Sequence, residues 1–149
     1  MARILSELLT GKKNGPLPND GGVAQLPVSV VMPAVAPAVG DLIELVDLPQ
    51  YVDLMDYDVI APQLDSNGAP TLALSIGEEN AGLTDLATVY EAGLTPGRGA
   101  SGNLVRCGTA AASQASNAAS RRIALKVTTA AATYAGAGKT VNFILHLRG

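Results

Sequence analysis

The chain has 149 residues, a net charge of −3 and a hydrophobic share of 48%, with no Trp, four Tyr, one Phe and one Cys. The single Cys107 excludes an internal disulfide and a cysteine-based zinc site. No apolar run approaches the ~18 residues of a membrane span, and residues 2–10 are too short for a signal-peptide core, so the chain reads as soluble and made in the cytoplasm.

Residues 2–9, ARILSELL, place Ile4, Leu5, Leu8 and Leu9 at helical spacing and predict one or two turns ended by Gly11. So short a helix must dock on its own domain or on a neighbour. Residues 11–22 are a loop by composition. Residues 23–39 are apolar but broken by Pro27, Pro33 and Pro37, which predicts an edge strand at VSVVM within an otherwise extended arm.

Residues 41–48, DLIELVDL, read as a strand with neither face cleanly apolar, as expected with protein on both sides. In 51–60, Val52, Leu54 and Met55 compete with Asp53, Asp56 and Asp58, and a bulge would reconcile the pattern. Asp65-Ser66-Asn67-Gly68 is a turn signal, because Asn-Gly tolerates positive φ. Residues 70–76 alternate with Leu72, Leu74 and Ile76 inward. Residues 41–77 thus read as a meander.

Residues 77–92 predict a loop and a short helical or irregular segment with Leu86, Val89 and Tyr90 on one face. NLVRC at 103–107 is a short strand, and the Ala/Ser-rich run 108–120 a loop. Residues 121–131 put Ile123, Leu125 and Val127 on one face. Residues 140–148 put Val141, Phe143, Leu145 and Leu147 inward, with Gly136–Lys139 as a hairpin between the two strands. Six to eight short strands with turn signals predict an antiparallel sandwich or barrel.

The charges are segregated. Residues 14–97 carry twelve carboxylates and no base, whereas residues 98–149 carry seven bases and no acid. The leading expectation is that the two parts interleave and pair across strands. The alternative is complementary contact between subunits.

No motif supports catalysis. TYAGAGKT at 133–140 has Thr133 where a phosphate-cradling loop needs its first Gly, and a strand rather than a helix follows. Asp53, Asp56 and Asp58 do not match a calcium loop, and on a strand Asp56 and Asp58 share a face while Asp53 points the other way. His146 lacks a nucleophile partner, and Glu78-Glu79 lacks the aromatics that line sugar sites. The expectation is no enzyme, no cofactor and no metal.

The run DLIELVDLPQYVDLMDYDVIAPQLDSNGAPTLALSIGEENAG resembles the head decoration, or cement, proteins of tailed bacteriophages, a podophage jelly-roll cement protein among them. The shared features are a strand ending in Leu-Pro, a following strand, an Leu-Asp-x-Asn turn and a Pro-Thr-Leu strand. The end, RIALKVTTAAATYAGAGKTVNFILHL, resembles their closing hairpin. The likeness spans 41–82 and 121–147.

The resemblance implies an all-β, jelly-roll-like antiparallel sandwich at 40–149, with an extended N-terminal arm at 1–39. It implies a structural virion protein on the outer surface of the head, bridging major capsid protein subunits and stabilising the expanded shell. It further implies a homo-oligomer, dimer or trimer, without direct nucleic-acid or membrane contact. The candidate partner-binding residues are Ile4, Leu5, Leu8, Leu9, Asp53, Asp56, Asp58, Arg121 and Arg122. The alternatives are a virion-surface module for a host glycan or receptor, and a tail or baseplate protein.

Overall fold

The chain changes sheets at most of its turns, and this decides which charged strand residues of the described part meet. The computed structural model describes residues 1–11 and 23–149. Strands β1 (Arg3–Leu5), β3 (Leu42–Leu48), β5 (Ala73–Glu79), β6 (Leu86–Leu94) and β8 (Arg121–Thr129) form one sheet in the order β1-β3-β8-β5-β6. Strands β2 (Val23–Val31), β4 (Asp53–Ala61), β7 (Asn103–Arg106) and β9 (Thr140–Arg148) form the other, in the order β2-β9-β4-β7. All pairings are antiparallel except β1 with β3. The two sheets make a jelly-roll-like antiparallel sandwich, as the resemblance implied.

Among the described residues, β5 and β6 are the one pair of consecutive strands that hydrogen-bond to each other. The expected meander over 41–77 is therefore corrected: β3, β4 and β5 alternate between sheets. The expected hairpin between the last two strands is corrected for the same reason, since β8 and β9 lie in different sheets. A strand burying one face can satisfy its ladder with any partner, so chain adjacency does not decide pairing.

Three local expectations also change. Residues 3–5 are a strand rather than a helix, because β3 offers them a parallel partner that an isolated helical turn would lack. Turns follow through Gly11, and the rest of the loop expected over 11–22 lies outside the described residues. Residues 86–94 are a strand, paired to β5 through three register shifts that bury Tyr90 and Leu94. The Ala/Ser-rich run contains a one-turn helix, α1 (Ala111–Gln114), held by buried Ala112.

The core lies between the sheets and follows the alternation read from the sequence. Leu74, Ile76, Ile123, Leu125 and Val127 face Val141, Phe143, Leu145, Leu147, Leu54, Tyr57 and Val59. Two bulges adjust the pattern. A register shift between Glu44 and Val46 leaves Leu45 extra, so Ile43, Leu45, Val46 and Leu48 all join the core. A shift between Leu54 and Asp56 leaves Met55 extra, which is the bulge expected in that strand. Its consequence corrects the sequence reading: with Leu54 and Tyr57 both inward, Asp53, Asp56 and Asp58 share the outer face.

Residues 1–39 supply an edge strand to each sheet, β1 and β2. Glu7 donates its N–H to the Ser29 carbonyl, and Met32 donates to Lys139 on the β9 side. The odd-numbered residues of β2 therefore aim their backbone groups away from β9, at the outer edge where Glu7 meets Ser29. Pro27 is one of them, so its missing N–H costs no ladder bond.

Asp65 ties the crossovers together. Its buried carboxylate accepts backbone N–H groups of Asn67, Thr71, Leu72, Ala132 and Thr133 at 2.8–3.2 Å. Burial raises its pKa, but these donors outweigh burial and hold it well below the usual carboxylate range.

Candidate functional site

The three aspartates of β4 line the outer face of the four-stranded sheet and meet bases of the C-terminal third. Arg148 Nη2 lies 2.8 Å from Asp53 Oδ2, and Arg106 Nε 2.9 Å from Asp58 Oδ1. His146 Nε2 sits between Asp56 and Asp58, at 3.5 and 3.4 Å. These pairs follow from register, since Asp53 faces Arg148, Asp56 faces His146 and Asp58 faces Arg106. Asp58 is buried, which raises its pKa, but Arg106 and His146 lower it below the ordinary value.

The same face turns apolar toward its other end. Ile60 and Leu104 are cross-strand partners, exposed by 42% and 54%, beside Asn142 and Ser29.

The outer face of the five-stranded sheet carries a buried ion network. Glu44 has no solvent exposure and accepts from Arg3 and from Arg122, whose Nη1 is 2.7 Å from Oε2. Arg122 also forks onto Asp47, at 2.7 and 2.8 Å. On the outer face Lys126 also pairs with Asp85 at 2.6 Å, whereas at the strand ends Arg121 pairs with Glu78 on the core side, where the Tyr90 hydroxyl donates to Glu78 as well. The segregated halves of the sequence thus pair within one molecule, through strands that interleave.

The N-terminal candidates divide. Ile4 and Leu8 pack on the core of their own chain, Leu9 is half-buried, and Leu5 is exposed by 42%. Ser6 is fully buried and donates both to the Glu44 carbonyl and, through its hydroxyl, to the Leu45 carbonyl.

Arg3, Glu44, Asp47, Arg106 and Arg148 were not singled out from the sequence. Glu44 carried a signal, being the lone acid inside the apolar run Leu42–Val46. The exposed Val35 and Val39 were also missed as a surface. They stand on the proline-broken segment, which Asp41 fastens by accepting the Ala38 N–H at 2.8 Å and the Ala2 N–H at 2.6 Å.

Among the described residues no group of three or more His, Cys, Asp or Glu is placed to hold a metal ion, and no helix is long and apolar enough to cross a membrane. The phosphate-loop lookalike is structural, with Lys139 Nζ on the Gln63 carbonyl at 2.9 Å and the Tyr134 hydroxyl on the Pro33 carbonyl at 2.7 Å.

No protein-family model and no curated protein matches the chain. Two solved structures do. A chain of the capsid of Ralstonia phage GP4 is 32% identical, with 99% of this chain and 97% of that one covered and a TM-score of 0.83. A chain of the cyanophage Pam1 capsid asymmetric unit shares the fold at 21% identity, with 91% of each chain covered and a TM-score of 0.67.

Proposed function

The chain belongs to the family of phage capsid proteins that includes the Ralstonia phage GP4 chain, and from that premise we propose that it decorates and stiffens the expanded phage head. It is a structural protein of the virion. The single observation that carries the reading is the likeness over 99% of its length to a chain of a phage capsid. The resemblance of 41–82 and 121–147 to head decoration proteins narrows that role to cement.

In this reading the protein sits on the outer surface of the head and bridges neighbouring major capsid subunits. A protein that binds the expanded shell and not its precursor stabilises the expanded state by mass action. Residues 1–39 form the docking arm, with β1 and β2 anchoring it in the sandwich and Leu5, Val35 and Val39 exposed for contact. Pro33 and Pro37 and the Asp41 hydrogen bonds stiffen the segment, so less entropy is lost on docking. The apolar end of the four-stranded sheet, at Ile60 and Leu104, is the surface for a second copy in a dimer or trimer.

The test is sedimentation of the purified protein with undecorated expanded heads and with unexpanded proheads. The reading requires saturable co-sedimentation with expanded heads and far less with proheads.

A further inference from the structure

Tyr51 stands on the corner at 49–52 that carries the chain from β3 to β4. Its φ is +69°, and among the described residues only Leu83 shares a positive φ without being glycine. Val52 donates its N–H to the Pro49 carbonyl at 3.3 Å, which makes Tyr51 the third residue of a tight turn. Glycine or asparagine adopts positive φ there at least cost, and a bulky aromatic is strained.

The strain is not repaid by packing or hydrogen bonding within the described chain. Tyr51 is 58% exposed and lies outside the core cluster, whereas Leu83 is half-buried. The hydroxyls of Tyr57, Tyr90 and Tyr134 donate to Glu91, to Glu78 and to the Pro33 carbonyl. The Tyr51 hydroxyl makes no hydrogen bond with any described residue.

The corner is firmly tied all the same. Tyr51 donates its N–H to the Asn117 carbonyl at 2.8 Å, and Gln50 Nε2 donates to the Ala118 carbonyl at 2.8 Å. Asn117 Nδ2 in turn donates to Asp53 Oδ1 at 2.8 Å. A strained, exposed aromatic on a fixed mount has the character of a binding anchor, because a large ring is offered with little side-chain entropy to lose.

Position and charge select the partner. β3 runs from Leu42, beside the Asp41 that fastens the arm, to Leu48, beside this corner. Seven residues of strand, roughly 20 Å, therefore separate the arm's fastening from Tyr51. A bridge between subunits needs contacts at separated places, and Tyr51 offers one away from the arm. The charged residues that flank the corner in sequence, Asp47 and Asp53, are already paired with Arg122 and Arg148. The corner is balanced in charge and suits an uncharged pocket.

We propose that Tyr51 is the anchor by which this protein holds a second capsid subunit, its ring entering an uncharged, apolar-walled pocket and its hydroxyl donating to a carbonyl at the base. The identity of the partner rests on the decoration reading. A sugar is the poorer match, because sugar sites stack several rings and Tyr51 is the one exposed aromatic among the described residues.

The test measures saturable binding of the full chain and of three variants to undecorated expanded heads. Tyr51→Gly and Tyr51→Asn accept positive φ, so both should hold the Tm within a few degrees while weakening binding about tenfold or more. Tyr51→Phe lacks only the hydroxyl and should lose about fivefold. In the natural protein, tetranitromethane should nitrate Tyr51 ahead of the other tyrosines in solution and spare it on heads. Undiminished head binding in any variant, or equal nitration of Tyr51 on and off the head, would overturn the proposal. So would a fall in Tm of about ten degrees or more in both Tyr51→Gly and Tyr51→Asn, since the ring would then serve the fold. The nitration comparison decides even if the variants do not fold. Saturable binding of maltohexaose that Tyr51→Gly loses, with heads bound as before, would assign the corner to a sugar and overturn the proposal too. Absence of head binding by the natural protein would overturn decoration and this proposal together, whereas the other outcomes overturn this proposal alone.

Discussion

Arg122 Nη1 lies 2.7 Å from Glu44 Oε2, although one residue comes from the base-free acidic stretch and the other from the acid-free basic one. β3 and β8 are neighbours in the sheet, with Glu44 facing Ala124 and Asp47 facing Arg122, so a bulge lets one guanidinium serve both acids. The segregation of charge along the chain disappears in the fold because antiparallel partners come from opposite ends.

The first prediction concerns this pair. Glu44 is fully buried, so Arg122→Ala leaves a buried carboxylate with Arg3 alone. A loss of about 2 kcal/mol in urea denaturation is expected. Arg122→Lys should recover part of it, since an ammonium lacks the fork that reaches both Glu44 and Asp47.

Much of this architecture was legible and some was not. The faces of β5, β8 and β9 follow from strict alternation of large aliphatics, and Leu74, Ile123, Phe143 and their neighbours lie where the period of two puts them. The bulge at Met55 was legible because two adjacent apolar residues faced three aspartates. The bulge at Leu45 was not, since every residue from Leu42 to Val46 is buried, Glu44 included, so no change from apolar to exposed polar marks the slip. β6 was misread because three register shifts erase its alternation. The pairing order was illegible, since period shows which face is inward and not which strand lies beside it. For the same reason Arg121 could be singled out from the sequence, but not its pairing with Glu78.

Asp65 gives the second prediction, a pH dependence. Its folded-state pKa lies below its unfolded value, so its contribution to stability is fully present above about pH 4 and is lost as pH falls toward the folded value. Urea midpoints measured from pH 5 to pH 2 should fall more steeply for the natural protein than for Asp65→Asn. At pH 7, Asp65→Ala should cost roughly 3–5 kcal/mol, because it orphans backbone donors of both crossovers.

The third prediction concerns the outer edge of β2. Pro27 withholds a donor that any other residue would present outward, midway along a nine-residue edge strand. Pro27→Val should leave the Tm of the dilute protein within a few degrees while raising self-association in sedimentation velocity.

The fourth concerns docking. Val35 and Val39 are 79% and 63% exposed. Replacing both by Asp should leave the Tm unchanged and weaken co-sedimentation with expanded heads by about tenfold or more, because buried apolar contact is exchanged for desolvated charge.

The central claim is that the protein stabilises the expanded head. The most direct test is the disruption temperature of undecorated expanded heads at increasing concentrations of added protein. Preferential binding predicts a rise that begins near the dissociation constant and continues with the logarithm of free protein concentration. Saturable binding with no change in the disruption temperature would contradict the account.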